Sequence, residues 1–139
     1  MKWKEKLSLM RKPEIISYKG VDILYLNFEN LKKTESIIAL DSAGAEYIRK
    51  QKINSVLALS NLQNMHFNNE IRNHFIEVEK DNGPFIKATA VYGLNGLITF
   101  MFEDFLKKTK RNINVFDTRK EALRYLSSFV ARPVFVNKK

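Results

Sequence analysis

Apolar positions along the chain change period several times, and each change marks a new element. Ile15-Ile16-Ser17-Tyr18 and Val21-Asp22-Ile23-Leu24-Tyr25-Leu26-Asn27-Phe28 are rich in β-branched, aromatic and aliphatic residues, and Lys19-Gly20 separates them. They predict two strands joined by a tight turn in which Gly20 supplies the permissive backbone. Val21, Ile23 and Tyr25 fall on one face of the second strand, and Leu24, Leu26 and Phe28 on the other. That strand is therefore expected inside a sheet, with both faces covered. From residue 34 to 51 the period lengthens: Ile37, Leu40, Gly44, Tyr47 and Ile48 recur at helical spacing behind Thr34, which can cap the start.

A short apolar strand is predicted over 53–59. Asn68 is then placed to cap a helix with the buried face Ile71, His74, Phe75 and Val78, which Asp81-Asn82-Gly83-Pro84 ends. Phe85 to Val91 reads as a strand, and Gly93-Leu94-Asn95-Gly96 leads into a helix carrying Leu97, Phe100, Met101 and Phe105. Residues 112–116 form a last strand. Thr118-Arg119-Lys120-Glu121 has capping-box spacing for a helix carrying Ala122, Leu123, Tyr125, Leu126 and Phe129. The order is β-β-α-β-α-β-α-β-α. Strands separated by single helices pair in parallel through right-handed crossovers, and the opening hairpin adds one antiparallel strand. The expected fold class is α/β with a mixed, mainly parallel sheet: one domain over residues 13–139 behind a basic arm, residues 1–12.

Length and composition suit that reading. A chain of 139 residues with 45% hydrophobic and 28% charged residues holds a full core in a single domain. The absence of cysteine excludes disulfides, thiolate chemistry and every Cys-based zinc site. No apolar run approaches the ~20 residues that span a bilayer. The basic N-terminus lacks the apolar core and cleavage site of a signal peptide, so a cytoplasmic location is expected. The net charge of +9 sits at the ends: Lys and Arg outnumber acids six to two over 1–20 and ten to three over 104–139, but are outnumbered eight to ten between. Such ends suit an acidic partner or simply a solvated basic face.

Three stretches together resemble a known family: Ser55-Val56-Leu57-Ala58-Leu59-Ser60-Asn61 leading to Phe67; Asn82 through Leu97, containing Tyr92-Gly93-Leu94-Asn95-Gly96; and Arg111 through Leu123. With the element order they resemble the STAS/SEC14-like superfold, and most closely the small stand-alone bacterial proteins of that kind, over about residues 20–130. The resemblance to anti-sigma-factor-antagonist-like domains implies an interaction module, and the SEC14-like side implies a lipid pocket. Phosphorylatable STAS antagonists carry Asp-Ser-x-Gly where a core strand meets the next helix, and this chain has Asp41-Ser42-Ala43-Gly44. One register makes Ile37 to Leu40 a strand and starts a helix near Ser42. The other keeps the helical face from Ile37 to Ile48 and makes Ser42 a mid-helix decoy, with the switch position near Ser60-Asn61, where the motif is absent. The unbroken helical face favours the second.

No nucleophile elbow, phosphate loop, dinucleotide-binding glycine triplet or zinc-binding helix motif occurs, so catalysis, cofactors and metals have no positive sequence support. His74, on an apolar helix face, is expected as a packed, hydrogen-bonded histidine. His66 lies in a loop after a parallel strand, a better place for function, without a second ligand at metal spacing. Open α/β sheets bind ligands outside the carboxyl ends of their parallel strands. The ligand-binding candidates there are Ser60, Asn61, Asn64, His66, Gly93, Asn95 and Gly96, beside Asp117 and Thr118. Anionic-surface candidates are Lys2, Trp3, Lys4 and Lys6 in the arm and Lys107, Lys108, Lys110 and Arg111 at a helix end. The same lysines suit a negative helix terminus, and the arm equally suits a packed or loose extension. Phe100, Phe102 and Phe105 lie on overlapping faces of one helix, which leaves aromatic surface for a homodimer. The function expected is a non-catalytic regulatory or scaffolding domain that meets a protein or small ligand through strand-end loops. The alternative is a lipid or membrane-surface binder. Nucleic-acid binding is not expected, since no motif or stacking array accompanies the charge.

Overall fold

The computed structural model describes residues 10–109 and 113–129. Strands β1 (Glu14–Tyr18) and β2 (Val21–Asn27) form the opening hairpin, and Lys19 and Gly20 both take positive φ, 51° and 80°. Positive φ at both central residues gives a turn whose twist matches that of the strands it joins. Then come α1 (Thr34–Ile48), β3 (Val56–Asn61), α2 (Asn69–Asn82), a short 3₁₀ turn, β4 (Ile86–Tyr92), α3 (Gly96–Thr109), β5 (Ile113–Phe116) and α4 (Arg119–Ser127). This is the element order read from the sequence.

The five strands lie side by side in chain order, β1 antiparallel to β2 and the rest parallel. Crossovers of one hand that always step to the next strand in the same direction put their helices on one face. Accordingly Ile37, Leu40, Ile71, Phe75, Phe102 and Phe105 from α1, α2 and α3 share one core with Leu24, Leu26, Phe28 and Val91. Among the described residues no strand follows β5, and α4 lies on the opposite face. There Ala122, Leu123 and Leu126 pack on Ile23, Tyr25, Leu59 and Ala90. β2 is thus buried on both faces. Each fully buried aliphatic side chain, such as Ile23, Leu40 or Ile71, contributes roughly 1.5–3 kcal/mol.

Several boundaries differ from expectation for local reasons. α1 stops at Ile48 because its last turn tightens to Lys50 N–Tyr47 O and Gln51 N–Ile48 O bonds. β3 begins three residues late because Asn54 adopts φ 56° and Ile53 stands out at 72% exposure. It continues to Asn61 because Ser60 and Asn61 still pair with β2 and β4. Thr34 does not cap α1: Lys33 precedes the helix without a side-chain bond, and the Thr34 hydroxyl accepts from Asn68 Nδ2 at 2.9 Å. Asn68 does cap α2, its Oδ1 accepting from Ile71 N at 2.8 Å. Thr118 caps α4 through Glu121 N and also donates to the Glu121 carboxylate.

Phe102 and Phe105 do not supply the aromatic surface expected on α3. Phe102 and Phe105 are 3% and 2% exposed, with ring centroids 4.8 Å apart. Both belong to the core that also holds Phe75 and Val91. The side chains of Leu97 and Phe100 lie outside those described.

Candidate functional site

The loops after β2, β3 and β4 gather at the carboxyl edge of the sheet and are bonded to one another. Asn30 N donates to Gln63 O at 3.0 Å, His66 N to Leu31 O at 2.9 Å, and Leu62 N to Tyr92 O at 2.9 Å. Gly93, at φ 89°, lies so close to the neighbouring loop that a Cβ would sit 2.7 Å from Gln63 N. Its glycine identity is required by packing between loops as well as by backbone conformation. Gly96 also has positive φ, 51°, but faces open space.

The candidates at this edge divide by what they touch. Asn61 is buried: its Oδ1 accepts from Gln63 N at 3.0 Å, and its Nδ2 donates to Glu29 Oε1 at 2.8 Å. Asn64 is exposed at φ 56°, donating to Asn30 Oδ1 and accepting from Lys32 Nζ. His66 is exposed, with Nε2 3.2 Å from Asn68 Nδ2. Asn95 and Gly96 are exposed at the entry to α3. Ser60 points the other way, into the space between the sheet and the helix layer. Of the basic candidates, Lys107 is exposed on α3, and the Lys108 side chain is not among those described. Lys2, Trp3, Lys4, Lys6, Lys110 and Arg111 lie outside the described residues. The arm is described from Met10, and Arg11 Nη1 donates to Asn27 O at 2.8 Å, which brings the arm to this same edge.

A buried cluster adjoins the loops on the α4 face, and sequence reasoning did not find it. Tyr25 and Tyr92 hydroxyls are 3.0 Å apart, and Asn61 Nδ2 reaches Tyr25. The exposed Arg119 guanidinium stands 4.8 Å from the Tyr25 ring centre. Burial, then the Tyr25 hydrogen bond, push the Tyr92 phenol well above its usual range, with Arg119 opposing. Tyr25 and Tyr92 are 67 positions apart, so no local spacing signals the pair.

Under the helix layer a partly open cavity of about 50 Å³ is walled by Phe28, Phe75, Phe102 and Phe105, with Asp41, Ser60, Glu79 and Thr89 among the polar lining. An acyl chain needs a pocket of roughly 300 Å³ or more. Beside the cavity, His74 Nε2 is 3.2 Å from Asp41 Oδ2 and 3.4 Å from Ser42 Oγ. These are the residue types of a nucleophile relay, but both contacts converge on one ring nitrogen. A relay holds the carboxylate on one nitrogen and the hydroxyl on the other. The histidine instead links α1 to α2. Ser42 is exposed in the middle of α1, not at a strand end, and Gly44, two residues on, packs against Leu26, where a Cβ would lie 2.9 Å from Cδ1. Burial raises the Asp41 pKa above the usual carboxylate range, with His74 pulling the other way. Among the described residues, no three His, Asp or Glu side chains gather as a metal site, and no helix is long and apolar enough to cross a membrane.

The architecture is that of the STAS domain: a hairpin-led, mainly parallel five-stranded sheet with four described helices. The solved structure of an anti-sigma-factor antagonist (STAS) domain protein from Planctomyces limnophilus is similar, with a TM-score of 0.57 at 14% identity, over 84% of this chain and 99% of that one. No protein-family model and no curated protein matches the chain.

Proposed function

We propose that this chain is a non-catalytic regulatory or scaffolding module that binds a protein or small ligand at the carboxyl edge of its sheet. The observation that carries the reading is the divergence of two adjacent loops. The chain leaves β4 for the face of α1–α3 and leaves β5 for the face of α4. In open α/β sheets, ligands bind where neighbouring connections part in this way. Exposed Asn95 and Gly96 edge the parting on one side, and Asp117, Thr118 and Arg119 on the other. The STAS architecture agrees with an interaction role, and the small interlayer cavity favours this reading over storage of a lipid chain. The basic arm, which reaches the same edge through Arg11, is placed to add contacts to an acidic partner.

Native mass spectrometry of gently purified protein tests the proposal. A bound species should be lost from the double variant Asn95→Ala, Arg119→Glu and kept by Lys52→Glu, at the opposite edge. A species that binds all three forms equally would place the site elsewhere and overturn the assignment.

A further inference from the structure

The polar lining of the interlayer cavity is unlike its surroundings. Asp41 comes from α1, Ser60 from β3, Glu79 from α2 and Thr89 from β4, and all four reach one small space between layers otherwise packed with aromatic and aliphatic side chains. Asp41 Oδ2 is buried without an aligned hydrogen-bond donor, and His74 Nε2 stands 3.2 Å away at ion-pair distance. A buried acceptor without a donor costs about 1–3 kcal/mol, more when charged, so such an atom calls for a specific explanation. Around it the rings of Phe75, Phe105 and Phe102 form a continuous aromatic wall, with successive centroids 6.1 and 4.8 Å apart.

The Asp41 carboxylate, the Ser60 and Thr89 hydroxyls and the faces of phenylalanines, with Glu79 in the same lining, together make an environment for a cation with N–H donors and a short apolar stem. The carboxylate takes the charge, the hydroxyls accept the remaining protons, and the rings attract the cation through their quadrupoles. A cavity of about 50 Å³ admits only a few heavy atoms. We propose that the interlayer cavity binds a small primary ammonium group, such as the tip of an alkylamine, with Asp41 as its counter-ion and Ser60 and Thr89 as hydrogen-bond acceptors. Burial disfavours ionised Asp41 against the opposing pull of His74, and an arriving ammonium favours the charged form. The site is separate from the carboxyl-edge loops, so neither proposal depends on the other.

Ethylammonium chloride is the probe. It is titrated into the full chain at pH 7.5 against matched sodium chloride and against ethanol, and the methyl resonances of Leu62, Val78, Val91 and Ile113, which line the cavity, are followed by NMR. Saturable shifts are expected with a Kd on the order of millimolar, as suits so few atoms. Ethylammonium should bind at least tenfold more tightly than ethanol, and Asp41→Asn should abolish that preference. No saturable shift, an equal response to ethanol, or an undiminished preference in Asp41→Asn would each overturn the proposal. Should Asp41→Asn fail to fold, the ammonium-to-ethanol ratio in the unaltered chain still decides, and Ser60→Ala should weaken ethylammonium severalfold while leaving ethanol unchanged.

Discussion

Replacing Gly93 with alanine measures how tightly the strand-end loops are held together. Two costs add. The residue has φ 89°, where an L side chain is strained by about 1–2 kcal/mol. The new Cβ would also lie 2.7 Å from Gln63 N and 2.9 Å from Gln63 Cα. These are backbone atoms, and Gln63 is fixed through Asn30 N–Gln63 O and Gln63 N–Asn61 Oδ1, so relief requires moving a loop. Overpacking of this kind costs about 1–3 kcal/mol more. The sum, roughly 2–5 kcal/mol, is a large part of the 5–15 kcal/mol that holds a typical domain together. Gly96→Ala is the internal control: its φ is 51°, but nothing lies within 4 Å of its Cβ position, so only the conformational cost of about 1–2 kcal/mol applies. Urea unfolding of the three proteins, with m-values compared, gives both differences. Gly93→Ala should be the less stable variant by at least about 1 kcal/mol. Equal stabilities within about 0.5 kcal/mol would refute the claim that the β4–α3 loop rests on the β3–α2 loop.

Two further perturbations test the interior. Asp41 has a folded-state pKa above its ordinary value of 3.8, so its contribution to stability is greatest below that value and declines as pH rises through the raised one. Asp41→Asn should flatten this part of the stability-versus-pH curve in thermal melts, and an unchanged slope would show that the carboxyl is not buried as described. Phe102→Ala should cost about 3–5 kcal/mol in the folded monomer, as for a core ring. A variant of unaltered monomer stability but altered sedimentation would instead return Phe102 to an intermolecular surface.

The periodicities of the chain carry the local part of this architecture. Alternation around Gly20 specifies a hairpin, the spacing from Ile37 to Ile48 a helix, and Asn68 and Thr118 the starts of two more, because each signal acts over a few residues. The same reasoning places Asp41-Ser42-Ala43-Gly44 within α1, where the structure has it. Thr34 shows the limit of a local rule. Its hydroxyl is equally able to cap its own helix or to meet Asn68, and only the approach of the loop 34 positions away selects the second. Phe102 shows another: helical spacing ranks faces by composition, but the width of the core stripe depends on how α3 lies across β4 and β5.

By itself, then, the sequence determined the order and type of the elements, the two-faced burial of β2 and the gathering of loops at one sheet edge. Those follow from residue period and from the handedness of crossovers. Only the tertiary structure decided that α4 covers the face opposite α1–α3, that Tyr25 meets Tyr92, that Ser60 turns inward beside Asp41, and that Gly93 presses on Gln63. Each is a contact between segments remote along the chain. Its partner is chosen by the geometry of packed layers, to which neither the period nor the identity of neighbouring residues is sensitive.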